Sequence, residues 1–248
     1  MGQFSQFQNI LPDPNNGIGA AGQGDSSKPG PGFATVKLSS EQPYLQSRTN
    51  SGRLIARGIA YHKWKINITY NPMTREEFEP IYTFLLQRRG PLNPFYVSLP
   101  QYRTPQNSAF AAHVASNDMA ATDTSYAAGS TIMSIDGGSD GNYTRSSDGT
   151  PQPGDLFTVA GSNSNHQKAY MVTRMETAED YEGSQPNSSQ THAGRMHFVP
   201  GLAKSVNNND ELKFHNPLIK VIRVGNVEEY SLNANNLYQF SLNLEEVQ

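Results

Sequence analysis

Residues 54–100 decide the fold that the sequence predicts, and they read LIARGIAYHKWKINITYNPMTREEFEPIYTFLLQRRGPLNPFYVSLP. From Lys63 to Tyr70 every second residue is apolar: Trp64, Ile66, Ile68 and Tyr70. A period of two predicts a strand with one buried and one wet face. The dipeptide Asn71-Pro72 ends the strand, because proline disfavours continued regular pairing.

A helix is predicted directly after this strand. Thr74 and Glu77 match a capping box, in which each residue satisfies a free backbone amide of the other. An apolar stripe at helical spacing follows: Phe78, Ile81, Tyr82 and Leu85. Pro80 predicts a kink, or a separate turn over residues 73–79 with a helix that starts near Pro80. Gly90-Pro91 ends the helix.

The last predicted strand of the chain has the same alternation of apolar and polar residues as the Trp64 strand. Tyr238, Phe240, Leu242 and Leu244 alternate with polar residues, so we expect this strand beside the Trp64 strand in one sheet. The predicted core of that domain consists of Trp64, Ile66, Ile68, Phe78, Ile81, Leu85, Tyr238, Phe240 and Leu242.

Pairing of these two strands would make the first domain discontinuous. We assign residues 33–104 and 214–248 to it, residues 105–213 to an inserted β domain and residues 1–32 to a flexible N-terminal arm. The insertion is rich in Ser, Asn, Asp and Gly, with short β signals at residues 131–135, 156–159, 169–174 and 196–199. Such spacing predicts a small barrel or sandwich. Residues 218–224 predict a further strand, with 227–231 as its returning partner.

Residues 1–32 are dominated by Gly, Pro, Gln, Asn and Ser, which cannot repay the entropy of ordering by themselves. They predict either a disordered tail or an arm that orders on a neighbouring copy, with Phe4 and Phe7 as anchors. The GIGAAG run at residues 17–22 follows prolines and asparagines rather than a strand, so we interpret it as a chance match to a dinucleotide motif.

Composition excludes several classes of protein. The net charge of −3 over 248 residues argues against a nucleic-acid coat. The absence of cysteine rules out disulfides and thiolate metal sites and suits a reducing cytoplasm. No apolar run approaches the roughly 18 residues of a membrane span, and no secretion signal is evident. We expect a soluble protein without a membrane partner.

The sequence offers no reaction centre. His192 and His197 are spaced for neither a helical nor a strand-borne metal site. Asp136 and Asp140 resemble part of a calcium loop, but Ser147 stands where that loop needs a glutamate. We therefore predict no catalytic, metal-binding or cofactor-binding residues and no enzyme activity.

Basic residues lie around the Trp64 strand and at the C-terminal end of the predicted helix: Arg53, Arg57, Lys63, Lys65, Arg88 and Arg89. They predict either a solvated face or contacts with acidic groups of an adjacent copy, since charges at an interface set its register.

Residues 48–100 resemble the opening domain of bacteriophage distal tail proteins. The features that carry this resemblance are a W-x-h-x-h-x-Y-x-P-M strand (h is apolar), an E-E-F-x-x-I-x-x-F-L helix and an R-G stop. GDLF at residues 154–157 and AYMV at 169–172 are similar to the inserted β domain of the same proteins, as are PGL at 200–202 and the Asn-rich turn at 207–210. With YQFSLNLEEV at residues 238–247 as the closing strand, the similarity spans about residues 46–247.

The resemblance implies a mainly β fold, a tail-tube-like sandwich or split barrel with one packed helix and an inserted small barrel. It implies a structural virion protein of the tail, assembled in the host cytoplasm as a homo-oligomeric, hexameric ring. That ring would continue the tail tube at its distal end, bind the tube protein and the hub or wedge proteins of the baseplate, and let DNA pass without specific binding.

Two other functions stay open from sequence. The same tube fold also serves as a neck or tail-completion ring. Alternatively, the insertion binds a host-surface glycan through stacked aromatic rings, for which the candidates are Tyr126, Tyr143, Tyr170 and Tyr181. A lysin-like hydrolase lacks an acid/base pair.

Overall fold

The computed structural model describes residues 9–19, 24–25, 27–59, 61–138, 142–160, 166–180, 189–225 and 230–247. The mainly β class that the sequence predicts is confirmed. Among the described residues, no helix has the length and apolar character needed to cross a membrane.

The strands are, in chain order, β1 (Gly17–Ile18), β2 (Gly24–Asp25), β3 (Phe33–Glu41), β4 (Tyr44–Arg48), β5 (Leu54–Gly58), β6 (Lys63–Tyr70), β7 (Phe95–Ser98), β8 (Met119–Thr122), β9 (Ile132–Asp136), β10 (Leu156–Val159), β11 (His166–Glu176), β12 (His192–Val199), β13 (Glu211–Lys213), β14 (Leu218–Arg223), β15 (Ser231–Leu232), β16 (Tyr238–Gln239) and β17 (Ser241–Glu246). The helices are α1 (Arg75–Arg88), α2 (Ser108–Val114) and α3 (Arg145–Asp148), with short 3₁₀ turns at Pro100–Tyr102 and Ala178–Asp180.

The chain divides into two compact units. The first, which we call the sheet unit, consists of Met1–Val97 and Lys220–Val247, and the second, the barrel unit, of Ser98–Ile219. These borders lie a few residues from those predicted for the discontinuous domain and its insertion.

A five-stranded sheet in the order β3-β6-β17-β14-β7 forms the sheet unit. Its second strand, β6, is antiparallel to β3 on one side and to β17 on the other. Leu242 lies opposite Ile68, and Leu244 lies opposite Ile66. The predicted pairing of the Trp64 strand with the last strand is therefore confirmed. That last strand is interrupted at Phe240, because Tyr238–Gln239 turns away to pair with Ser231–Leu232.

One face of the sheet is buried and the other is wet. Strand β6 alternates between fully buried apolar residues and partly or fully exposed polar ones. The polar face carries two ion pairs within the chain: Lys63 binds Glu245, and Lys65 lies 3.0 Å from Glu41. The carboxylate of Glu245 raises the pKa of Lys63. Lys63 and Lys65 therefore each already have an acidic partner within their own chain.

Helix α1 covers the buried face. Glu77 accepts a hydrogen bond from the backbone N–H of Thr74 at 2.9 Å, as the predicted capping box requires. A single helix runs through Pro80 from Arg75 to Arg88, so the alternative of a separate turn before a helix that starts near Pro80 is wrong. The packing of its apolar stripe outweighs the one backbone hydrogen bond that proline removes.

The predicted core residues are buried with one exception. Phe78 of α1 stacks on Tyr238, with ring centroids 4.5 Å apart, and meets Phe240 edge-on at 6.0 Å. Phe84 meets Phe95 edge-on at 5.4 Å. Tyr238 is only partly buried, because it lies at the rim of this aromatic cluster.

Part of the predicted N-terminal arm packs on its own chain. Leu11 is 1% exposed. Its N–H donates to the carbonyl of Tyr96 at 2.8 Å, and the N–H of Tyr96 donates to Asn9 at the same distance. Residues 9–11 therefore occupy the outer edge of β7. Phe4 and Phe7, the predicted anchors, lie outside the described residues.

Six strands in the order β10-β11-β12-β9-β8-β13 close the barrel of the second unit. The sequence signals for β9 to β12 lie where these strands form, but β8, β13 and α2 were not predicted. A signal for α2 existed: Asn107 caps it by accepting from the N–H of Ala109 and Phe110, and Phe110 and Val114 are both buried at a spacing of four. The predicted strand over residues 227–231 falls mostly outside the described residues.

Aromatic side chains fill the barrel. Tyr143 and Tyr170 are 1% and 0% exposed, and Tyr170 stacks on Phe157 at 5.4 Å. Both are therefore wrong as stacking platforms for a glycan, because their rings form part of the hydrophobic core. Tyr126 packs against that core and donates its hydroxyl proton to Thr122, and Tyr181 lies outside the described residues.

The Gly154-Asp155 motif has a structural explanation. Asp155 is 4% exposed, and its carboxylate accepts from the N–H of Gln106 at 2.9 Å and from that of Gln152 at 2.8 Å. Gly154 takes a φ of +99°, which favours glycine. The motif thus anchors the segment before α2 to the start of β10.

We expect Phe78→Ala to lower the free energy of unfolding by about 3–5 kcal/mol, because it empties a buried site in the aromatic cluster. Urea denaturation followed by Trp64 fluorescence measures this loss. Leu86→Ala, at a half-exposed position of the same helix, should change it by less than about 0.5 kcal/mol. A loss below about 1 kcal/mol for Phe78→Ala would contradict the packing described.

Replacing Asp155 with alanine should lower stability by about 1–3 kcal/mol, since two backbone donors lose their acceptor. Hydrogen–deuterium exchange should speed up at the amides of Gln106 and Gln152. Asp155→Asn keeps one acceptor oxygen and serves as the matched variant, with a smaller effect expected. Unchanged exchange at both amides in Asp155→Ala would refute the anchoring role.

A double-mutant cycle of Lys63→Met with Glu245→Gln should give a coupling of about 0.5–1 kcal/mol that weakens in high salt. The more exposed pair of Lys65 and Glu41 provides the comparison, with an expected coupling below about 0.5 kcal/mol. Absence of any coupling between Lys63 and Glu245 in the monomeric chain would mean that Lys63 has another partner.

Candidate assembly surface

The hairpin of β4 and β5 is an exposed apolar feature of the sheet unit. Tyr44 pairs with Gly58 at its base and Arg48 with Leu54 near its tip. Every residue of the two strands is exposed. The hairpin belongs to neither the five-stranded sheet nor the barrel.

The local sequence explains why a hairpin forms here. The turn over residues 49–53 contains Asn50, Ser51 and Gly52, all of which favour turns. Gly52 has a φ of +80°, and its N–H donates to the carbonyl of Thr49 at 2.8 Å. The N–H of Thr49 donates in turn to Arg53 at 3.0 Å and continues the ladder.

Both faces of the hairpin are apolar. Side chains alternate along a strand, and directly paired residues share a face. Leu45, Ile55 and Arg57 therefore form a first face, and Tyr44, Leu54 and Arg48 form a second face. The four large apolar side chains are between 52% and 63% exposed. A strand that is apolar on both faces is typical of one that is buried on both sides.

The hairpin is also uniformly basic. Residues 42–75 contain no acidic residue, and their cations are Arg48, Arg53, Arg57, Lys63, Lys65 and Arg75. The three arginines of the hairpin make no ion pair within the described part of the chain. An apolar surface with unpaired arginines is typical of a protein–protein interface.

Of the other basic residues predicted for subunit contact, Arg88 is partly buried and Arg89 is exposed, both at the end of helix α1. The guanidinium of Arg88 lies 4.5 Å from the ring centre of Phe84, and burial lowers the pKa of Arg88. Arg89 takes a left-handed φ of 52° just after the helix. Arg53 and Arg57 are thus the two of the predicted contact residues whose side chains stand exposed on the hairpin.

The two edges of the five-stranded sheet differ. Residues 9–11 occupy the edge at β7, as described above. At the other edge, β3 pairs with β6 over its whole length from Phe33 to Glu41, and no described strand lies along its outer side. Among the described residues, the edge at β3 is therefore open, and the edge at β7 is covered at Tyr96.

Histidine–carboxylate pairs occur in the barrel unit but do not converge. His197 lies 3.0 Å from Glu176, His192 lies 3.9 Å from Asp123, and His113 lies 3.9 Å from Asp148. Within the described residues, no three His, Asp or Glu side chains come together as a metal site. Asp140, the second aspartate of the calcium-like loop, lies outside those residues.

Comparison with known proteins places the hairpin in a recognisable domain. Residues 22–102 match the family model described as distal tail protein pb9, A domain, N-terminal. The match contains β3 to β7, helix α1 and the whole hairpin. A search of curated proteins found no match.

The match covers the strand, the helix and the helix end at Arg89-Gly90, and it confirms the resemblance to the distal tail proteins for this part of the chain. Residues 22–102 therefore form a domain of the phage distal tail protein family, which is a family of phage tail structural proteins.

Proposed function

We propose that the chain assembles into a hexameric ring that continues the tail tube at its distal end and connects the tube to baseplate or tail-tip proteins. The observation that carries this proposal is the exposed hairpin within the matched domain. The hairpin exposes four large apolar side chains and three arginines to water in a monomer. Burying such a patch against another molecule is favourable, as is typical of an interface.

The sheet edges favour a contact between unlike surfaces. Because residues 9–11 occupy the edge at β7, a continuous sheet cannot pass from subunit to subunit through β3 and β7. The hairpin of one copy then has to meet a different surface on the next copy. Such head-to-tail contacts generate closed rings when the rotation between neighbours is right.

The ring has no catalytic part in this proposal. The distal tail family is generally non-enzymatic, and the histidine–carboxylate pairs of the barrel unit are local contacts. We assign the tube protein to one side of the ring and hub or wedge proteins of the baseplate to the other. No cofactor and no membrane contact are required, and the ring is assembled in the host cytoplasm before it becomes part of the virion.

A neck or tail-completion ring would use the same hairpin at the other end of the tail. Labelled antibody on intact particles separates the two positions: label at the tail tip supports the proposal, and label at the neck refutes it.

Glycan binding is disfavoured because Tyr143 and Tyr170 lie in the barrel core.

The purified full chain should form ring-shaped particles in negative stain and an oligomer of about six copies by light scattering. Leu45→Ser with Ile55→Ser should weaken association at least about tenfold, because burial of each aliphatic side chain contributes about 1.5–3 kcal/mol to the free energy of association. Stability of the monomer should change by less than about 0.5 kcal/mol, since both positions are exposed.

Leu92→Ser is the control for that variant, because Leu92 is 73% exposed in the same unit but lies outside the hairpin. It should leave association unchanged. A wild-type chain that stays monomeric at high concentration and is missing from virions would overturn the proposal.

A further inference from the structure

The sheet unit contains a groove that the proposed ring leaves unassigned. It lies between the N-terminal segment and helix α1 and has a volume of about 780 Å³. Residues of the N-terminal segment, including Pro12, Ile18 and Lys28, form one wall, and residues of the helix between Glu76 and Gln87 form the other. This volume lies within the range of preformed binding sites.

The wall opposite the helix is fastened to the sheet. Tyr70 donates its hydroxyl proton to the carbonyl of Pro12 at 3.0 Å. Asp13 is 2% exposed, and its carboxylate accepts from the N–H of Asn15 and of Asn16 at 2.7 and 2.9 Å. The N–H of Gly30 donates to the carbonyl of Asp13 at 3.0 Å, and a side chain on Gly30 would approach that oxygen to 2.7 Å. The groove is therefore built before any partner arrives.

The groove combines an apolar lining with acidic groups. Ile18 and Pro80, both partly exposed, supply apolar surface. Three carboxylates of the first helical turns line the same groove: Glu76, Glu77 and Glu79. Glu77 accepts from Thr74, and Glu79 pairs with Arg75 at 2.6 Å, whereas Glu76 makes no ion pair within the described residues.

Lys28 is the one cation among the described residues that line the groove. The site is therefore suited to an apolar segment that carries positive charge, and it disfavours an acidic one.

The hairpin is the described surface with the complementary character. Its first face offers Leu45 and Ile55 beside Arg57, and Arg53 precedes the same strand. Because these side chains are exposed in their own chain, they do not occupy the groove of that chain. The groove and the hairpin are different surfaces, so a contact between them joins two copies head to tail.

We infer that the first face of the hairpin inserts into the groove of the neighbouring copy, with Arg53 and Arg57 facing the carboxylates of α1. This inference rests on the proposed ring and names its contact. The occupant of the groove is a second copy of this chain, and charge complementarity selects its orientation.

Two charge-reversed variants test the contact. Arg53→Glu with Arg57→Glu damages the hairpin but leaves the groove intact, and Glu76→Arg with Glu79→Arg does the opposite. Each variant alone should associate at least about tenfold more weakly than wild type, as expected for like charges at an interface. Circular dichroism and thermal unfolding verify that both variants are folded.

The equimolar mixture of the two variants gives the decisive result. The intact groove of one variant meets the intact hairpin of the other, and the two reversed surfaces are also complementary, so light scattering should show recovery of a ring in which the two variants alternate. A chain that carries all four substitutions should recover the ring, because its reversed charges are again complementary. Lys204→Glu, an exposed charge reversal in the barrel unit, should have no effect.

Four outcomes would overturn the inference or its basis. If wild type forms rings but the mixture stays dissociated and the fourfold variant is not rescued, the docking is wrong and the ring stands. If only the groove variant loses association, the groove has another occupant. If Arg48→Glu alone weakens association of the otherwise wild-type chain and Arg53→Glu with Arg57→Glu does not, the second face is the one that docks. A monomeric wild type would refute the ring itself.

Discussion

The sheet unit depends on the hydrogen bonding of β6 on both of its sides. One side pairs with β3, which is close in sequence, and the other pairs with β17, so that Lys63 and Glu245, 182 residues apart, meet across the ladder. Such a long-range pairing must overcome the entropy of closing a large loop. The apolar alternation on β6 and β17 supplies the compensating burial, and the same alternation fixes the register, because a slip of one residue would expose the whole set.

Sequence was most informative where patterns are long and local. The period of two around Trp64 and Leu242 and the stripe beginning at Phe78 each predicted an element that the structure contains. The rule that proline interrupts a helix is local, whereas α1 is also stabilised by tertiary packing of its Phe84 on Phe95 of β7. The short strands β8 and β13 were missed, since three or four residues do not establish a period.

The candidate site was only half predictable. Basic residues around the first strand could be read from sequence, but their partners could not. Lys63 and Lys65 pair with carboxylates that only the folded sheet brings close. Arg53 and Arg57 lie on a separate hairpin, which the sequence did not distinguish from the Trp64 strand. The groove was unpredictable for a similar reason. It exists because Asp13 and Tyr70 fix a glycine- and proline-rich segment whose composition, taken alone, indicates a disordered tail.

The occupied edge at β7 also has a consequence for solubility. Exposed edges are templates for stacking into fibres, a hazard for any β protein at high concentration. With residues 9–11 bonded to Tyr96, part of the β7 edge is no longer available to pair with a strand of another molecule. The short N-terminal segment thus lowers the tendency of the chain to aggregate through this edge.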